Sequence, residues 1–479
     1  MEEVNELYRS WFQGGTQGII PPLHTLSAVN RRSGRTTENY PPMATRISST
    51  TPPGPQSGVA AAPPGGIADF DYSNFYYSSS DDIFAIFDPY NEWWYGHARN
   101  NGYYLYSQPM STPPGPRIDL EEQLGHERLK LLNLASYNYL GLSYHPEVID
   151  AAKQALDQYG LGAAGSPILS GTMEIHVQLE KAIAKFKRKD AAMVFPTGYS
   201  TNVGLISALM RPGDWVIMDQ NVHASIVDGA ILSKANVRFF RHNRPDDLEK
   251  KLSGTSGKRL VIVEGVYSMD GDEARLPEIV EVAKRHDARI MIDEAHSSFL
   301  YGKEGRGVAE KYGLEDDIDI HVGTFSKALG GMGGFVAGSQ SLYNYLMGFA
   351  RSRVCSCALA PAVSAGVLQA LHIQEREPQL RETLWSNVAH MRGLLAEAGI
   401  DVGESTSQII PIMIRNDRKI FGIARALQRA GLYLQPIIYP AVAKNRSRFR
   451  ISISATHTSQ QLDEAATILS DVLQAEGMR

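Results

Sequence analysis

From residue 191 onward the chain alternates short apolar runs with amphipathic stretches. The runs are Ala192–Phe195, Trp215–Met218, Val237–Phe240, Leu260–Val263, Arg289–Ile292, Ile320–Gly323 and Gly334–Ala337. Most are separated by helix-like segments. This predicts an α/β fold with a mainly parallel sheet of about seven strands and helices on both faces. Ligands of such sheets sit beyond the carboxyl ends of the strands, and the polar residues of interest follow those ends.

Upstream, a strand pair is expected around Arg117–Asp119 and Lys130–Leu134, followed by the turn-rich Ser136–Gly141. A helix is predicted over Pro146–Tyr159, with Val148, Ala151, Ala155 and Leu156 on its apolar face. A second helix presents Ile175, Leu179, Ile183 and Phe186 at spacings of three and four, one face of a 3.6-residue period. Past residue 360 the pattern changes. One long helical stretch over Ala362–Leu395 precedes a smaller α+β section, with strands near Ile409–Ile412, Tyr433–Leu434 and Phe449–Ser452. That section is expected to face the large one across a cleft.

Residues 14–67 are rich in Pro, Gly, Ser and Thr and carry no helical or strand period. Such a stretch buries too little to fold, and 1–67 is expected to be a disordered leader. Between Asp69 and Pro109 the composition turns aromatic. This predicts an arm that docks on the body or on a second subunit, the alternative being a sticky low-complexity segment. The expected division is therefore 1–67, 68–175, 176–360 for the large domain that carries the sheet, and 361–479.

At 479 residues, 43% hydrophobic and 21% charged, the composition is that of a globular protein with a large core. A net charge of −5 gives no general attraction to nucleic acid. The only cysteines, Cys355 and Cys357, stand one residue apart, too close for an ordinary disulfide or a zinc half-site, which suits a reducing compartment. No apolar run reaches the roughly eighteen residues of a membrane span. A soluble, cytoplasmic protein is expected.

Four strand ends carry candidate chemistry. Met291-Ile292 runs straight into Asp293-Glu294-Ala295-His296. A carboxylate at a buried strand end needs a cationic or hydrogen-bonding partner. Spacing alone leaves Asp293 equally a helix cap or the partner of a cofactor nitrogen, with metal ligation by Asp293 and His296 a third alternative. Phe195-Pro196-Thr197-Gly198-Tyr199 reads as a strand, a glycine turn and a helix start, an anion site to which Thr324 and Ser326 can add hydroxyls. His223 follows a strand and can stack on a planar ring or merely cap a helix. Val266–Gly271, with Ser268, follows another, and Lys327 stands between a strand and the glycine-rich Gly330–Gly334. Together these supply a phosphate cradle, an imidazole, a carboxylate and a lysine. Pyridoxal phosphate (PLP) requires that set: the lysine for a Schiff base, the carboxylate to keep the ring nitrogen protonated, the cradle for the phosphate.

The sequence resembles the α-oxoamine synthases of fold type I, the family of serine palmitoyltransferase, 8-amino-7-oxononanoate synthase, 2-amino-3-ketobutyrate CoA ligase and 5-aminolevulinate synthase. The resemblance lies in Ser136–Leu142, Gly165-Ser166 with Ser170-Gly171-Thr172, Asn221–Gly229, Val266–Gly271, Asp293–His296 with Gly302 and Gly305-Arg306-Gly307, Gly323–Gly334, Leu359-Ala360-Pro361, and Arg448-Phe449-Arg450 ahead of Ala455–Thr458. Pro167 departs from the arginine or other polar residue of many members, and Cys357 from their Ser or Thr.

The resemblance implies a PLP-dependent acyltransferase that condenses an amino acid with an acyl thioester, on CoA or a carrier protein, with loss of carbon dioxide. Lys327 would carry the cofactor, Asp293 would pair with its ring nitrogen and His223 would stack on the ring. His296 and Ser268 would lie near the 3-oxygen, while Gly198, Tyr199 and Thr324 would bind phosphate. Arg450, assisted by Asn138, would take the amino acid's carboxylate, with Arg448 the less favoured choice. A homodimer with the active site at the subunit interface, no metal and no nucleic-acid partner complete the expectation. The alternatives are an aminotransferase on the same fold and a catalytically silent subunit of a heterodimeric synthase.

Overall fold

The computed structural model describes residues 80–93, 105–121 and 128–478. The leader expected over 1–67 and most of the aromatic stretch lie outside the described residues.

The chain's strands are β1 (Arg117–Glu121), β2 (Arg128–Asn133), β3 (Ala191–Phe195), β4 (Trp215–Asp219), β5 (Asn236–Phe240), β6 (Arg259–Glu264), β7 (Arg289–Asp293), β8 (Ile320–Thr324) and β9 (Gly334–Gly338). The C-terminal section adds β10 (Ile409–Met413), β11 (Leu432–Tyr433), β12 (Pro436–Ile437) and β13 (Arg448–Ser452). The runs read from the sequence pair into one sheet in the order β3-β9-β8-β7-β6-β4-β5. Strands β8, β7, β6, β4 and β5 are parallel, and β9 runs antiparallel to both β3 and β8.

Both faces of this sheet are covered, which explains the unbroken apolar runs. Alternate residues feed two separate cores, as the two-residue strand period dictates. Ile217, Val261, Val263, Ile290 and Ile292 enter one cluster. Met218, Leu260, Ile262, Met291 and Val322 enter the other, against Leu205, Ile206, Ile226 and Val227 of the helices Gly198–Leu209 and Ala224–Ser233.

The helix Pro146–Tyr159 forms over the expected residues, but Leu156 is 40% exposed and Ala155 is the residue it buries. The helix lies against Pro361–Arg376, where Gly366 faces Val148. Small side chains set that contact, which leaves Leu156 on the outer side. The helix Glu174–Phe186 buries Ile175, Leu179, Ile183 and Phe186 as its period requires. The single helical stretch expected over 362–395 is two helices, Pro361–Arg376 and Gln379–Glu397. Pro378 intervenes, and its ring restricts the preceding residue and removes a backbone donor.

Two small sheets, β1-β2-β11 and β10-β13-β12, complete the fold. Strand β11 pairs in parallel with β2, Leu132 opposite Leu432, so residues 117–133 share a sheet with the C-terminal section. Of the aromatic stretch, residues 105–109 lie against that section. Tyr106 Oη donates to Pro436 O at 2.8 Å, and Gln108 and Gln428 exchange side-chain hydrogen bonds. Ile83, Phe84 and Phe87 are exposed.

Candidate active site

The carboxyl ends of β6, β7 and β8, with the segments after β3 and β4, enclose a cavity of about 300 Å³. Gly198, Tyr199, His223, Ser268, Asp293, His296, Thr324 and Lys327 all line it, although they come from separate strand ends.

At the floor, β7 delivers Asp293, 6% exposed. Its Oδ2 accepts from Asn202 Nδ2 at 2.8 Å and its Oδ1 from the Ala295 N–H at 2.9 Å. A buried carboxylate held by two donors is fixed in orientation while one side stays open for a cationic partner. Beside it in register stands Glu264, the last residue of β6. Burial first, and then the charge of Asp293, push the Glu264 carboxyl well above its usual range, against the pull of Lys327. One Glu264 oxygen accepts the backbone N–H of His223.

Lys327 is partly buried and makes no hydrogen bond or ion pair among the described residues. Desolvation outweighs the attraction of Asp293 and Glu264 and brings its ammonium down to about 8. An amine so placed is available as a nucleophile or a base near neutral pH.

On one wall, His223 caps the helix Ala224–Ser233, and its Nδ1 lies 2.7 Å from Ser225 Oγ. On the other, His296 Nδ1 lies 2.8 Å from Tyr139 Oη. Burial, then the charges of Lys327 and Arg450, hold His296 well below the usual imidazole range. Asp293 and His296 are thus each engaged with protein partners of their own.

The anion cradle is built from the start of the helix Gly198–Leu209. Thr197 and Ser200 close a capping box, with Ser200 N–H donating to Thr197 Oγ1 at 2.9 Å. The first-turn N–H groups of a helix have no intrahelical acceptor and favour an anion. Thr324 and Ser326 hydroxyls, 2.9 Å apart, face this turn. A Cβ on Gly198 would sit 3.0 Å from Thr324 Oγ1, and one on Gly334 would lie 2.8 Å from Gly198 Cα. The two glycines therefore keep the cradle open.

Arg450 and Asn138 do not line the cavity but adjoin it. Arg450 donates to Ser268 O at 3.0 Å and lies over the Tyr137 ring at 4.7 Å. Asn138 Nδ2 donates to Pro114 O at 3.4 Å, and its Oδ1 accepts from Ser143 N–H at 3.3 Å. Arg448 is paired with Asp270. Three buried polar residues of the cavity have no role of their own in the sequence analysis: Asn202, Ser225 and Glu264. Glu264 carried a usable signal, an acid directly after an apolar strand, the same pattern that marks Asp293.

A lysine free of partners, a fixed carboxylate, an open imidazole face and an anion cradle in one cavity fit pyridoxal phosphate. The comparisons agree. Residues 130–469 match the model of the family "Aminotransferase class I and II". A serine palmitoyltransferase of Sphingobacterium spiritivorum is 41% identical over 77% of this chain and 91% of its own length. An 8-amino-7-oxononanoate synthase of Bacillus velezensis is 39% identical over 75% and 91%. A solved SPT structure with PLP superposes with a TM-score of 0.79 at 34% identity, over 83% of this chain and all of that one. The chain belongs to the PLP-dependent class I and II aminotransferase family, in its α-oxoamine synthase branch.

Proposed function

We propose that this protein condenses an amino acid with an acyl thioester, on CoA or a carrier protein, releasing carbon dioxide and an α-amino ketone. The observation that carries this is the gathering of Lys327, Asp293 and His223 on one cavity. Pyridoxal phosphate bound there supplies an aldehyde for amines and a ring that takes up the electron pair released at the amino acid's Cα.

The chain's own residues account for the remaining requirements. Asp293, oriented by Asn202 and Ala295, would set a negative charge against the ring nitrogen. All six remaining residues line the cavity: Gly198, Tyr199 and Thr324 would hold the phosphate, His223 would stack on the ring, and His296 and Ser268 would lie near the 3-oxygen. Lys327, brought down to about 8, takes the Cα proton. Arg450, assisted by Asn138, grips the amino acid's carboxylate with a planar fork suited to two parallel hydrogen bonds.

A second copy of the chain is proposed to cover the cavity. Tyr199 and Met332, both cavity-lining, are 49% and 51% exposed, apolar surface of the kind that subunit interfaces cover. The division at residues 67, 175 and 360 stands as a proposal, with the β2–β11 pairing joining the second and fourth parts. A cytoplasmic location is proposed as well; among the described residues no helix is long and apolar enough to cross a membrane.

The test is product analysis with amino acids offered in turn beside an acyl-CoA. Serine comes first because the relative at 41% identity is a serine palmitoyltransferase. Carbon dioxide and free thiol released together support the proposal. A keto acid without thiol release would mean an aminotransferase and overturn it.

A further inference from the structure

Behind the cavity wall a chain of hydrogen bonds connects two residues that the proposed function treats separately, Asp293 and His223. Asn202 is 2% exposed and Ser225 fully buried. The Asn202 Nδ2 group reaches both Asp293 Oδ2, at 2.8 Å, and Ser225 Oγ, at 3.0 Å. Ser225 Oγ in turn lies 2.7 Å from His223 Nδ1.

The polarity of this chain is fixed by chemistry. A carboxylate only accepts, so the amide atom facing Asp293 is the NH2 group, and its second hydrogen points to Ser225. The serine oxygen then accepts from Asn202 and has its own hydrogen to give to His223 Nδ1. The Ser225 backbone N–H, which can only donate, also reaches Nδ1, at 3.3 Å. Two donors converge on one ring nitrogen, which therefore carries no proton.

We propose that Asn202 and Ser225 are positioning residues that hold His223 as the neutral imidazole with its proton on Nε2, using the Asp293 carboxylate as the origin of the polarity. The inference deepens the proposed function and rests on it only for the cofactor. A neutral ring can lie against a protonated heterocycle without charge repulsion, whereas an imidazolium could not. The same amide that orients Asp293 toward the ring nitrogen would thus set the state of the group on the ring's face.

The charged and titratable groups around His223 are Asp293 and Asp228, which favour its protonation, Lys327, which opposes it, Glu264 at its backbone N–H, His296, and Tyr199, whose ring stands edge-on to the imidazole at 6.4 Å. Desolvation is the largest influence and lowers its pKa.

The test is nitrogen NMR on the full chain labelled in histidine ring nitrogens, with and without pyridoxal phosphate, His223 being assigned by the signal lost in His223→Gln. The Nε2–H tautomer is expected for the native chain near neutral pH in both states. Ser225→Ala removes one donor to Nδ1 and should raise the pH midpoint of His223 by about one. Asn202→Leu removes the donor that fixes the direction of the serine hydroxyl and should raise that midpoint in the same sense. A native Nδ1–H signal, or a midpoint unmoved in both variants, would overturn the proposal. The native spectrum alone decides if a variant fails to fold. Cofactor-free protein reports the tautomer even if the proposed reaction is wrong, so the two can fail separately.

Discussion

Arg448 and Arg450 project from β13 two residues apart, yet Arg448 is paired with the Asp270 carboxylate while Arg450 has no carboxylate partner among the described residues. A nearly buried guanidinium without an anion is poised for one from outside. Arg450→Lys is expected to raise KM for the amino acid about 10- to 100-fold, the cost of losing charge-assisted hydrogen bonds worth roughly 1.5–3 kcal/mol. Steady-state kinetics checks this. Arg448→Ala should instead lower thermal stability, because it strands Asp270 on the Ser268 loop.

Asp293 is expected to act on the chemical step more than on binding. Asp293→Asn keeps the shape but removes the charge, and kcat should fall by about 10²–10³, the range for losing one preorganised electrostatic partner. The dissociation constant of the amino acid should change little. Spectral titration beside turnover separates the two effects.

The Lys327 amine gives a pH signature. Its folded value lies near 8, below the ordinary 10.5, because burial penalises the ammonium. The neutral, reactive amine therefore accumulates as pH rises through about 8. The rate at which cofactor-free protein takes up pyridoxal phosphate should climb over pH 7–8.5 and level off above it. A lysine of ordinary basicity would keep accelerating toward pH 10. Stopped-flow absorbance distinguishes the two.

Directly behind Asp293, Glu294 and Lys187 form a fully buried ion pair at 2.6 Å, and Lys187 also donates to Ser298 Oγ at 2.8 Å. Burial would push the Glu294 carboxyl up, but Lys187 and His321 bring it down to about 2. Lys187→Met leaves that carboxylate uncompensated and should cost about 3–5 kcal/mol of stability. Adding Glu294→Gln should recover part of the loss. Chemical denaturation of the single and double variants measures both.

Much of this was legible in the sequence because it rests on local pattern. The strands of the large sheet are covered on both sides, so each reads as an apolar run; Asp293 directly follows one, and Lys327 and His223 stand within a few residues of the ends of two others. Leu156 was misplaced because the apolar pattern does not reveal that its helix packs through Ala155 and Val148. The β2–β11 pairing joins residues 300 positions apart, Leu132 and Leu432, and leaves no periodic trace. Asn202 and Ser225 stayed hidden for a related reason. Their partners are other side chains, Asp293 standing 91 residues from Asn202, and a polar residue on a helix shows nothing of what it will meet.

Lys327 is the residue proposed to hold the cofactor. Borohydride reduction of the loaded protein, followed by peptide mapping by mass spectrometry, tests it directly. One pyridoxyl group per chain is expected, on Lys327, with no such label in Lys327→Ala. A label on another lysine, or none at all, would contradict it.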